Sequence, residues 1–239
     1  LGVGSFGPLD LNPESPTYGS ITSTPKLAWR DCPLLKGLLG GRDIPAAIDT
    51  DVNAAVLAEA ERGVAKGLTD AVYITIGTGV GGGVLSGGKL VHGLLHPEVG
   101  HMLLRPHKDD PNPRGVCPYH DGCLEGLAAG PAIGARVKGD ARNLPDDDPT
   151  FAIEADYLAQ MCVNLIMTLS PQRIILGCGV MGREVLYPMV RSRTAELLGG
   201  YIVAPEITEH LDEYIVAPAL FPVSGLVGSY LLGKRALEG

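Results

Sequence analysis

Apolar residues along the chain alternate between two spacings. The short runs "IPAAID" (44–49), "DAVYITIG" (70–77) and "RIILG" (173–177) read as buried strands. "DVNAAVLAEAERGVAKG" (51–67) is rich in good helix formers, with Ala54, Ala55, Leu57, Ala58 and Ala65, and Gly67 stands where a helix-ending glycine belongs. Phe151–Leu169 carries Ala155, Leu158, Cys162, Ile166 and Leu169 at helical spacing, which predicts an amphipathic helix stopped by Pro171. Further helices are predicted around Cys32–Leu39, over "CLEGLAAGPAIGARV" with a break at Gly130-Pro131, over "REVLYPMVRSRTAELL", and at 225–237. A short strand opens the chain, followed by a loop punctuated by Pro8, Pro13, Pro16 and Pro25. Another strand runs through Val84-Leu85 into a hairpin turn at "SGGK" (86–89), and two more are predicted near 201–207 and 214–217. The acidic stretch "DARNLPDDDPT" (140–150) reads as a solvated connector. Strands alternating with helices define an α/β class.

Composition narrows the partners. At 239 residues and 45% hydrophobic the chain can bury a large core, and 19% charged residues with a mean hydropathy of +0.17 exclude a disordered chain. A net charge of −8 without a basic cluster argues against nucleic acid or an anionic membrane as partner. No run reaches the ~18 apolar residues of a membrane span. Five cysteines are too few and odd in number for a disulfide scaffold, so the thiols are expected free or on metal in a cytoplasmic protein. The opening "LGVGSFGPLD" lacks an initiator Met and reads like the middle of a domain, so an N-terminally truncated chain is expected.

Candidate chemistry concentrates in 92–126. "GVCPYHDGCLEG" places Cys117, His120 and Cys123 at three-residue steps, a donor set suited to tetrahedral Zn²⁺. A fourth ligand must come from His96, His101 or His107. Four protein ligands would leave no position for water or substrate, so such a zinc is structural. Glu98 in "HPEVGH" and Glu125 in "CLEG" flank the cluster and could accept hydrogen bonds from a polyol. Two segments fit G-x-G-x-x-G, at 77–82 and 177–182. The first runs into another strand and fails as a dinucleotide fingerprint; the second precedes a helix but lacks the acid about 20 residues on. Both remain turns whose backbone N–H groups can approach phosphates. "IDTDVNAA" sets Asp49 and Asp51 at the junction of a strand and a helix, where Thr50 or Asp51 can cap and a carboxylate can serve as general base.

"GSFGPLDLNPES.TYG", "DTDVNAA", "YITIGTGVGGG", "HPEVGH", "GVCPYHDGCLEGLAAGPAI" and "ILGCGVM" together resemble a bacterial ROK-family sugar kinase of the fructokinase branch. The resemblance implies an actin/hexokinase-like (ribonuclease-H-like) fold of two α/β lobes, divided here as 1–67 and 68–239, with the first lobe incomplete. It implies ATP, Mg²⁺ and a hexose, with Asp51 as the base that deprotonates the sugar hydroxyl, a role a carboxylate acting late can fill without a raised pKa. Glu98 and Glu125 match the sugar-binding acids. Gly77, Thr78 and Gly79 match the second phosphate loop; Gly177, Cys178 and Gly179 match the nucleotide-binding turn, with Pro131 beside the nucleotide. His101, Cys117, His120 and Cys123 match the family's zinc ligands, and a homodimer is favoured. Two departures stand out. The family's first phosphate loop, Asp-x-Gly-Gly-Thr, lies upstream of Leu1, so a molecule starting there is expected to have little kinase activity. Thr50 stands where hexose-selective relatives often carry Asn. Alternative readings are a sugar-sensing repressor of the same superfamily and a non-catalytic homologue.

Overall fold

The computed structural model describes residues 1–238. In chain order the strands and helices are β1 (Gly2–Ser5), α1 (Leu34–Leu39), β2 (Ala47–Thr50), α2 (Asp51–Arg62), β3 (Ala71–Ile76), β4 (Val80–Ser86) and β5 (Lys89–Leu90). There follow α3 (Leu124–Ala128), α4 (Gly130–Val137), α5 (Thr150–Leu169), β6 (Arg173–Gly177), α6 (Leu186–Leu198), α7 (Pro205–Thr208), α8 (Leu211–Tyr214), β7 (Ile215–Val216) and α9 (Ser224–Glu238). The chain forms two compact units. The first gathers Leu1–Tyr73, Gly83–Pro97 and the stretch from Ala219 onward; the second gathers Ile74–Gly82 and Glu98–Pro218.

In the first unit β1 and β2 pair in parallel, with Gly2 opposite Ala47 and Ser5 opposite Thr50. α2 and α9 pack against each other through small residues. A Cβ on Gly228 would lie 1.8 Å from the carbonyl oxygen of Ala54, so the two helices meet backbone to backbone and only glycine fits there. Ala54, Leu57, Leu231 and Leu232 seal that contact, while Leu9, Ile21, Leu35 and Ile48 close the loop-rich side. The hairpin predicted at "SGGK" is present: Gly87 (φ 56°) and Gly88 (φ 76°) join β4 to β5 with Ser86 opposite Lys89. Two consecutive left-handed residues are the requirement of a type I′ turn.

α2 ends at Arg62, short of the predicted Gly67. The stop is made by Glu59, which is fully buried and accepts hydrogen bonds from the backbone N–H groups of Val64 (3.0 Å), Ala219 (3.2 Å) and Leu220 (2.9 Å) and from the Ser224 hydroxyl (3.0 Å). One carboxylate thus fastens the end of α2 to the start of α9. Glu59→Ala would strand four donors, and a loss of about 3 kcal/mol or more is expected. Thermal unfolding should register it as a fall in Tm of roughly 6–12 °C.

In the second unit β6 and β7 pair in parallel through Ile174–Ile215 and Ile175–Val216. α5 packs on α3 and α6. Four of the five positions predicted for its apolar face (Ala155, Leu158, Cys162 and Ile166) are buried, whereas Leu169 is exposed. Burial extends well beyond one face to Glu154 and Asp156. The strand predicted near 201–207 is absent. Pro205 has no N–H for a ladder and instead opens the short helix α7, with Ala204 extended before it.

Candidate active site

The first unit contributes an acid–imidazole cluster at the end of β2. Thr50 caps α2, its hydroxyl oxygen accepting the Asn53 N–H at 3.0 Å. Asp49 is buried and saturated: one oxygen accepts the Thr50 N–H (2.7 Å) and the Asn53 amide (2.8 Å), while the other lies 2.9 Å from His92 Nε2. That hydrogen bond raises the His92 pKa, against the opposing effect of burial. Asn53 in turn accepts the Val84 N–H at 3.3 Å.

With capping and scaffolding assigned to Thr50 and Asp49, Asp51 is left at the first turn of α2. Its carboxylate accepts the Val52 N–H at 2.9 Å. Its side chain reaches solvent, yet the protein crowded around it strips enough hydration to raise its pKa above the usual carboxylate range. The Val52 N–H and the charges of Lys26 and His96 pull the other way without cancelling that effect. His96, one of the candidate zinc ligands, is occupied elsewhere. It is buried, and its Nε2 accepts the Leu9 N–H at 3.0 Å. Since a backbone amide only donates, Nε2 carries the lone pair, and burial lowers the imidazole pKa, which favours this neutral form.

The second unit holds the remaining candidates. The ligand atoms of His101, Cys117, His120 and Cys123 all lie within 4.8 Å of one another. Cys117 Sγ is 3.9 Å from His101 Nδ1 and 3.7 Å from His120 Nδ1, and Cys123 Sγ is 3.8 Å from His101 Nδ1. A zinc tetrahedron with bonds of ~2.3 Å to sulfur and ~2.0 Å to nitrogen has S···N edges of about 3.5 Å, so these four residues fit such an ion. Burial pushes the Cys123 thiol up to about 11, helped by Cys117 and Glu125 and opposed by the Gly126 N–H. A divalent cation reverses that preference by stabilising thiolate. His107 is not in the quartet; its Nδ1 accepts the Asp109 N–H at 3.2 Å.

The quartet knots two segments that flank candidate carboxylates. Leu104 N–H donates to Gly122 O and Leu124 N–H to Met102 O, both at 2.9 Å, a strand-like pairing that sets His101 beside Cys123. Cys123 then caps α3, its sulfur accepting the Gly126 N–H at 3.4 Å. Glu98 is exposed and immediately precedes the 3₁₀ turn Val99–His101. Glu125, in the first turn of α3, accepts the Val80 N–H at 2.9 Å.

Gly77, Thr78, Pro131, Cys178 and Gly179 line one cavity of about 500 Å³. Gly79 and Gly177 do not line it. Gly77 is closely held: its N–H donates to Gly79 O (2.9 Å), its carbonyl accepts the Gly130 N–H (2.7 Å), and a Cβ there would sit 2.9 Å from Cys178 Sγ. Cys178 itself has φ 78°, a left-handed conformation a side-chain-bearing residue adopts only when its surroundings require it.

Sequence reasoning missed the far wall, formed by Gly139–Arg142, Phe151 and Arg183. The stretch read as a solvated connector contains part of it. Arg183 stacks over Phe151 at 5.4 Å and donates to the carbonyl of Arg142 and to Asp146, which fixes that loop. Also unforeseen is a buried network on α4 and α5, the helices that carry Ile133, Gly134 and Phe151 of the lining. The Arg136 guanidinium contacts Asp110 (3.1 Å) and Glu154 (3.3 Å), and Tyr157 donates to Asp110 at 2.8 Å. Burial pushes Glu154 up to about 8 despite Arg136, whereas Asp110, also pushed up by burial, is held below its ordinary value by the Asn112 N–H, Tyr157 and Arg136.

A sequence model described as the ROK family matches residues 1–236. A fructokinase from Pediococcus pentosaceus is 46% identical over 238 residues, spanning 100% of this chain and 81% of that protein. Among solved structures, a ROK hexokinase from Thermus thermophilus superposes with a TM-score of 0.76 at 26% identity, over 99% of this chain and 79% of that one. A ROK-family glucokinase from Streptomyces griseus, solved with glucose and AMPPNP, gives 0.73 at 25% identity, over 100% of this chain and 81% of that one.

Proposed function

The chain belongs to the ROK family, and we propose that it transfers the γ-phosphoryl group of ATP to the 6-hydroxyl of D-fructose with Asp51 as general base. Its fold is the actin/hexokinase-like fold of ROK sugar kinases, and its activity is that of a hexose kinase. Fructose as the hexose rests on one observation, the 46% identity to a fructokinase over the whole chain.

In this reading Asp51 accepts the hydroxyl proton as the sugar oxygen bonds to the γ-phosphorus and the bond to the β–γ bridging oxygen breaks, releasing ADP. Phosphoryl transfer asks a protein for positioning and charge stabilisation more than for covalent chemistry. The N–H groups of the turns Gly77–Gly79 and Gly177–Gly179 serve the phosphates, and the cavity they share with Pro131 receives the nucleoside. Mg²⁺ entering with ATP supplies charge neutralisation. Glu98 and Glu125 accept hydrogen bonds from sugar hydroxyls, aimed by the knot of His101, Cys117, His120 and Cys123, which Zn²⁺ would cross-link. All four positions of that tetrahedron are protein groups, so its role is structural. The reading carries a cytoplasmic homodimer, the assembly its resemblance implies. No helix among the described residues is long and apolar enough to cross a membrane.

An ADP-coupled assay with fructose, glucose and mannose tests the assignment. Fructose is expected to lead in kcat/KM by at least roughly tenfold, the scale of one well-placed discriminating contact. Equal or faster use of glucose would remove fructose as the substrate, and no ADP with any hexose would remove the kinase reading itself.

A further inference from the structure

Glu125 does something in this structure that sugar binding does not require. Its Oε2 accepts the N–H of Val80, the residue that follows the Gly77-Thr78-Gly79 turn, at 2.9 Å. The approach is close along the turn: a Cβ on Gly79 would stand 2.6 Å from the same oxygen. The turn closes on itself through Gly77 N–H to Gly79 O and is tied from the other side by Gly130 N–H to Gly77 O. Glu125 lies two residues beyond Cys123, which caps α3 and belongs to the Cys/His quartet. A continuous path thus runs from the quartet through the first turn of α3 to the backbone of the turn that lines the cavity.

We propose that Glu125 is a positioning residue for the nucleotide, holding the Gly77–Gly79 turn through Val80. The proposal rests on the reading of that turn as a phosphate loop. Oε2 fixes the turn, and Oε1 is left for a sugar hydroxyl. A carboxylate accepting an amide N–H makes a charge-assisted bond, stronger than a neutral one. A turn with glycine at two of three positions has much conformational freedom to lose when it folds around phosphate. Anchoring it beforehand removes that cost from nucleotide binding.

The test is Mg·ATP titration by calorimetry without sugar, on the full chain and three variants, together with amide exchange at Val80. Glu125→Ala is expected to weaken ATP binding on the order of tenfold and to speed Val80 exchange by at least as much. Glu125→Gln retains an acceptor oxygen and is expected to stay within about threefold of wild type in both. Glu98→Ala is expected to weaken fructose binding and leave ATP binding unchanged. ATP binding by Glu125→Ala equal to wild type would overturn the proposal, whether or not Val80 exchange changes. If the alanine variant does not fold, the exchange rate decides: rapid Val80 exchange in wild type, or exchange in Glu125→Gln no different from a freely exposed amide, rejects the latch. Wild type that binds no ATP while Val80 is protected would count against the kinase reading and leave the latch standing.

Discussion

Asp51→Asn is expected to reduce turnover by roughly a thousandfold, within the range by which positioned general bases accelerate reactions. The substitution is nearly isosteric, and the local structure has little need of the carboxylate. Thr50 caps α2, Asp49 accepts the Thr50 and Asn53 donors, and Asp51 contributes only its contact with Val52 and a charge in the first helical turn. Such a charge is worth no more than about 1 kcal/mol at an exposed helix start. Stability should therefore fall by less than that, and the affinities for ATP and fructose should change little. Only kcat should collapse.

The pH profile gives an independent check. Asp51 acts as base only when ionised, and its pKa lies above the ordinary carboxylate value because burial disfavours the charged form. Activity is then expected to fall as pH drops through a midpoint above that of an ordinary aspartate, and this limb should vanish in Asp51→Asn. Turnover unchanged in the variant would remove Asp51 as the base.

Loss of the metal quartet is expected to have the larger effect on stability. In the proposed zinc site Cys123→Ser would remove a ligand that also caps α3, and Cys117→Ser one whose sulfur also accepts the Tyr119 N–H at 3.5 Å. Metal analysis of the purified wild type should return about one zinc per chain, and both variants should carry far less. Zinc binding to a preformed Cys/His set contributes several kcal/mol to folding. A loss of even 3 kcal/mol lowers Tm by roughly 6–12 °C in a chain of this size. Because the ligand set is closed, residual zinc-free protein should keep slow turnover with a raised KM for the sugar. Complete loss of kcat with the fold intact would mean that the metal takes part in the chemistry.

What could be read from sequence was what is written locally. Cys117, His120 and Cys123 fall within one short loop, and the type I′ turn at Gly87-Gly88 needs only its own residues. The fourth member of the Cys/His quartet is not local. Spacing left His96, His101 and His107 open, and the resemblance selected His101. In the structure His101 stands with the cysteines, while His96 accepts the Leu9 N–H and His107 the Asp109 N–H. Buried charge was the blind spot. Glu59, Arg136 and Glu154 look like the polar faces of their helices, and nothing nearby in sequence announces partners at Ala219, Asp110 or Ser224. The wall at Gly139–Arg142 was hidden for the converse reason, since a loop of charges reads as solvated wherever it goes. Pro205 was legible and misjudged: a residue without an N–H opens a helix more readily than it continues a strand.

Glu59 and the close fit of Gly228 on Ala54 have a consequence for how the protein is made. Both join α2 to α9, so the first unit is closed by residues from Ala219 onward. The residues of the second unit end at Pro218. On the ribosome these residues of the second unit are therefore all synthesised before the α9 residues that close the first. The stretch carrying Asp51 has emerged long before but must wait for α9 to be delivered.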